Sequence, residues 1–180
     1  IIKLQSMKRM ILMSLFSIIA LVVSAQTGWK REYMVDEYTQ EKNPICVYYN
    51  RLGSVQAIYY INDQRLKVIK DYDGLKRFQV TWDALMNSSG KIESTTGSIY
   101  YRLIGTANNQ DIEVSDVCVY YSEVDKAGDS FFASFYVEIE PSDLMKANSI
   151  SFMWWDKIID DTATKNISLM GFTKAYQHNK

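Results

Sequence analysis

Histidine is nearly absent: His178 is the only one in 180 residues. It stands near the end of the sequence, where chains usually fray. A histidine general base is therefore not expected, which excludes Ser-His-Asp and Cys-His mechanisms. Two cysteines and one histidine also exclude zinc bound through histidines or four thiolates. Eight glycines are present, but none falls in a phosphate-loop or dinucleotide-binding pattern. Only two prolines occur, Pro44 and Pro141, and both fall at the edges of predicted strands. Neither sign of charge dominates, with 20 basic and 21 acidic residues. Beyond residue 25 no apolar run approaches the ~20 residues that a spanning helix needs.

What is present begins with an export pattern. Met7 is the natural start, followed by the basic pair Lys8-Arg9 and an apolar or small-residue run over Met10–Val23. Val23-Ser24-Ala25 places small residues at the −3 and −1 positions before Gln26. This is the three-part order of a secretory signal peptide. The reading divides the chain into an upstream extension plus signal peptide (1–25), cleaved after Ala25, and one domain (26–180). Gln26 is not a cysteine, so no lipoprotein acceptor stands at that site, and no stable membrane anchor is expected after cleavage. The expected location is periplasmic or extracellular. Lys3, Lys8 and Arg9, with no acid among them, precede Gln26, which leaves 17 basic and 21 acidic residues beyond it, a net charge of −4. A mildly acidic domain lacks the electrostatic footprint of a nucleic-acid binder.

Thirteen Tyr, seven Phe and four Trp load the chain towards strand. The clearest strand is Phe131–Glu140. Phe131, Ala133, Phe135, Val137 and Ile139 fall on one face, and Phe132, Ser134, Tyr136, Glu138 and Glu140 on the other. Burying each large apolar side chain contributes roughly 1.5–3 kcal/mol. Further strands are predicted at Trp29–Tyr38, Ile45–Asn50, Val55–Asn62, Arg65–Tyr72, Lys76–Trp82, Ser98–Ile104, Ile112–Ser122, Ile150–Trp155 and Asn166–Met170. Turn residues such as Asn62-Asp63 and Asp71-Tyr72-Asp73-Gly74 separate them. Short helices are expected at Ser142–Ala147, with a Ser cap, and at Thr173–His178, with a single turn at Asp83–Met86. The expected fold class is all-β: a mostly antiparallel β-sandwich with one or two short helices near the C-terminus, preceded by the signal-peptide helix.

A capped turn, two strands and Gly171-Phe172-Thr173-Lys174-Ala175-Tyr176 close the chain. This arrangement resembles the closing module of several Gram-negative periplasmic β-sandwich families. Among them are the invasion-associated locus B proteins and some type VI secretion accessory proteins. The resemblance covers about a fifth of the chain. It implies a periplasmic β-sandwich and carries no catalytic residue with it.

Carboxylates are the remaining candidates for chemistry. Glu138 and Glu140 on one strand face would lie about 6.6 Å apart, within the roughly 5–9.5 Å used by glycosidases. A solvated strand end before Pro141 is the plainer explanation. Asp71, Asp73 and Gly74 start like a calcium loop, but the Glu needed at position 12 is Trp82. Arg65, Lys67, Lys70, Lys76 and Arg77 read as a charged hairpin edge or a contact for an anionic partner. Cys46 and Cys118 are candidates for a disulfide, with two buried thiols as the alternative. Asp161-Thr162-Ala163 resembles an acceptor for periplasmic O-glycosylation at Thr162.

Tyr100, Tyr120, Phe132, Tyr136 and Trp155 fall opposite the aliphatic set of their strands. Either another part of the chain covers them or they form a contact platform for a glycan, a lipid or a protein. The expected function is non-enzymatic: a secreted or periplasmic binding or accessory protein using this aromatic face, with no cofactor and no metal. The alternatives are a carboxylate-dependent glycan-active enzyme and a carrier of a small apolar ligand.

Overall fold

The computed structural model describes residues 27–73, 95–107, 109–123, 130–156 and 159–178. The expected signal-peptide helix, the strand at 76–82 and the turn at 83–86 lie outside the described residues.

Nine strands and two short helices make up the described chain: β1 (Gly28–Val35), β2 (Lys42–Tyr49), β3 (Val55–Tyr60), β4 (Arg65–Asp73), β5 (Thr95–Ile104), β6 (Ile112–Glu123), β7 (Ser130–Glu138), α1 (Pro141–Lys146), β8 (Ser149–Asp156), β9 (Asp161–Ser168) and α2 (Phe172–Gln177). All nine strands join one sheet in the order β1-β2-β3-β4-β7-β6-β5-β8-β9, every neighbouring pair antiparallel. The sheet curls into a half-barrel. This corrects the expected sandwich. The pairings Leu66↔Val137 and Tyr121↔Ala133 carry the ladder through β7 without a break, so the core lies inside one curl.

Alternation decides what enters that curl. Ala133, Phe135 and Val137 of β7 are buried, facing Leu66 and Val68 across the β4 pairing. On β8 the inner set is Ile150, Phe152 and Trp154, while Met153 and Trp155 point outward. Phe135 meets Phe152 and Trp154 edge-on, with centroids 5.5 and 5.0 Å away. That geometry suits the ring quadrupoles and adds to the area term.

The helices fill the curl at its open side. In α2, Phe172 is fully buried and packs edge-on against Trp29 (5.0 Å) and Tyr59 (5.3 Å). Gly171 supplies the left-handed φ of 88° that starts α2. In α1 the first helical residue is Pro141, with Glu140 as the N-cap and no side-chain cap bond. The Ser142 cap is thus replaced by proline's fixed φ.

Candidate functional site

Three parts of the described chain gather chemistry-bearing side chains. The first is the outer face of the sheet, where all five expected aromatics fall. Trp155 on β8 is 59% exposed, opposite Thr162 of β9. Met153, two residues earlier, pairs with Tyr100 of β5. The Tyr100 hydroxyl hydrogen-bonds Glu113 on β6, and that carboxylate raises its pKa. Tyr120 on β6 is exposed, and the neighbouring Cys118 raises its pKa. Phe132 is half-buried opposite Asp71.

Tyr136 is half-buried as well. Its ring is flanked by Arg65 and Lys67 at 5.4 and 5.5 Å and lies 6.0 Å from Tyr60. Burial, and then Tyr136 itself, push the Tyr60 phenol up to about 12. The five aromatics therefore share a face but not a patch. A register shift opposite Gly97 and Ile99, with Asp116 at φ 58°, separates the β6–β7 group from Tyr100 and Trp155.

The second gathering lies inside the curl, where sequence reading did not place it. Tyr72 donates its hydroxyl hydrogen to Oδ2 of Asp156, a fully buried carboxylate. The Tyr121 hydroxyl lies 3.5 Å from Oδ1. Lys70 spreads over the rings of Tyr72 and Trp154, 5.3 and 5.5 Å from their centroids. At the rim beside them Lys165 donates to Gln56, whose amide donates at 2.7 Å to Asp71, an exposed residue on the other face of β4. Desolvation lowers the Lys165 pKa, opposed in part by Asp71. A signal for this cluster existed. Asp156 continues the inward series Ile150, Phe152, Trp154, and Lys70 and Tyr72 continue Leu66 and Val68. With no exposed surface, the Asp156 carboxylate ties β8 to β4 and lies against β6.

The third is a groove of about 560 Å³ between β1 and α2, lined by Trp29, Lys30, Arg31, Tyr33, Lys174 and His178 among others.

The other expected residues fall as follows. Cys46 and Cys118 are free thiols. Cys46 sits on the inner face of β2, opposite Tyr59, whereas Cys118 sits on the outer face of β6. Strands β3, β4 and β7 lie between them, so the expected bridge does not form. The residues flanking Cys118 point inward, and those flanking Cys46 point outward; the same local pattern therefore hides opposite orientations. Thr162 lies within β9 and is exposed. Glu138 ends β7 opposite Arg65, and Glu140 caps α1, so the two acids do not share a strand. Among the described residues no group of three or more His, Cys, Asp or Glu side chains could hold a metal ion. No described helix is long and apolar enough to cross a membrane.

Compared with family models, with curated proteins and with solved structures, the chain matches none.

Proposed function

We propose that this chain is an exported, non-enzymatic binding protein that holds a carbohydrate chain on the outer face of its sheet. The observation that carries the reading is Trp155. It is the most exposed of the five outward aromatics, and the largest. Exposed Met153 adjoins it, and Thr162 and Thr164 of β9 stand opposite the two. A flat indole bordered by hydroxyls supplies what a sugar ring needs: a stacking surface for its C–H face and hydrogen bonds for its rim. Tyr136, whose ring is already flanked by two cations, ranks behind Trp155. The interior contacts of Phe135 with Phe152 and Trp154 support a filled core over an apolar-ligand carrier. The export pattern of residues 7–25 and the resemblance of the C-terminal segment to periplasmic proteins support a location outside the cytoplasm. In that compartment Thr162 would be accessible to O-glycosylation.

Titration with soluble xylan, mixed-linkage β-glucan and polygalacturonate, followed by tryptophan fluorescence and calorimetry, tests the reading. Trp155→Ala should weaken binding by about 2 kcal/mol or more with the melting temperature nearly unchanged. Failure of all three glycans to bind, or undiminished binding by Trp155→Ala, overturns it.

A further inference from the structure

The groove between β1 and α2 is separate from the outer aromatic face and has a different chemistry. Three lysine or arginine side chains and one imidazole line it: Lys30, Arg31, Lys174 and His178. No carboxylate is among the described residues that line it. Glu32, the acid next along β1, is held by the Tyr49 hydroxyl at 2.6 Å. Arg31 is fixed in place. Its Nη1 donates to the Tyr176 carbonyl of α2 at 3.0 Å, and its buried Nε has no hydrogen-bond partner. The half-buried guanidinium, shielded from water at its Nε, therefore brings positive charge to the groove, and an anion there would be attracted more strongly than at an open surface.

The groove also lies along a sheet edge. β1 is the first strand in the order, and among the described strands only β2 pairs with it. Beyond the cationic half of β1, Tyr33, Met34 and Val35 are 50%, 45% and 47% exposed. Native edges are usually blunted by charge or covered; this one carries charge at one half and apolar side chains at the other. Lys30 and Arg31 are neighbours on a strand, so they project to opposite faces of the sheet. Lys174 of α2 and His178, the residue that follows that helix, join Arg31 on the inner side.

We propose that the β1 edge takes up an extended acidic peptide segment of a partner protein as an added strand. The peptide backbone bonds to β1. Alternate carboxylates face Arg31, Lys174 and His178, and apolar residues further along cover Tyr33, Met34 and Val35. Charge complementarity selects an acidic occupant, and the adjoining strand edge selects a peptide over other polyanions. The chain's own residues before Gln26 carry Lys3, Lys8 and Arg9 and no acid, which disfavours them as the occupant.

The test uses the full chain and a fluorescein-labelled ten-residue peptide alternating Glu with Thr and Val, read by anisotropy. Two further forms carry N-methyl groups on the odd or on the even residues. An added strand uses the N–H groups of one edge only, so one N-methyl form binds like the parent and the other loses binding. The variant Lys174→Glu, checked for unchanged circular dichroism and melting, weakens binding by roughly tenfold or more. Trp155→Ala leaves it unchanged. The proposal is overturned if the parent peptide does not bind, if the two N-methyl forms behave alike, if charge reversal has no effect, or if size-exclusion chromatography shows a second copy occupying the edge. It is also overturned if a heparin oligosaccharide of equal charge binds as tightly as the parent peptide.

Discussion

Tyr72 and Asp156, 84 positions apart in the chain, meet inside the half-barrel, where the phenol donates to a carboxylate with no exposed surface. The contact joins β4 to β8, strands separated in the sheet by β7, β6 and β5. Hydrogen bonds to charged groups contribute about 1.5–3 kcal/mol, and removing a partner from a buried carboxylate leaves it under-solvated. Tyr72→Phe should therefore lose roughly that amount in urea melts. Tyr120→Phe, on the exposed outer face, should lose almost nothing. Equal losses would show that the buried pair has no special weight.

Phe135 and Tyr136 are neighbours on opposite faces of β7. Phe135→Ala removes a ring held between Phe152 and Trp154 and should cost roughly 3–5 kcal/mol through transfer and cavity terms. Tyr136→Ala gives up a half-buried ring with two cation contacts, each worth about 0.5–1 kcal/mol at an exposed site. Its loss should be clearly smaller. Matched denaturant midpoints for the two variants would contradict the assignment of an inner and an outer face.

The two thiols should differ in reactivity. Burial pushes Cys46 up to about 11, although Arg31 opposes the shift, so it is a protonated thiol at pH 8. Cys118 is half-exposed. A maleimide should label one site quickly on the native protein and the second only after unfolding, and a reductant should leave the melting temperature unchanged. Blockage of both sites before reduction would indicate a disulfide.

Lys165 carries a linkage that can be measured. Its folded pKa is lowered, so between that value and the ordinary 10.5 the unfolded state binds more protons. Stability therefore rises with pH through this window. Tyr59 and Tyr60, whose pKa values are raised chiefly by burial, act in the opposite sense: their contribution is present below pH 10 and lost above it. Lys165→Met should flatten the rise below pH 10.5. It should leave stability at neutral pH unchanged or higher, because a buried cation is replaced by an apolar group of similar length. A steep loss at pH 7 would mean that the Gln56 bond outweighs the desolvation.

The sequence alone determined most of the described strands and their two faces, because side-chain direction repeats every two residues whatever the strand pairs with; the last strand is the exception, running over Asp161–Ser168 and not the expected Asn166–Met170. Alternation puts Phe135 inward and Tyr120 and Trp155 outward, and the described structure places them so. The helix near Ser142 was legible from its turn residues, although Pro141 rather than a serine begins it. Tertiary structure decided the rest. Alternation is the same in a sandwich and in a curled sheet, so only the β4–β7 and β7–β6 pairings revealed a single half-barrel. Cys46 and Cys118 both sit between aliphatic residues. Orientation could not be read from them, since β2 buries Ile45 and Val47 on its outer face and Cys46 on its inner one. The Asp156 cluster and the β1–α2 groove join residues more than 80 positions apart, a proximity set by strand order and curl and not written in any local spacing.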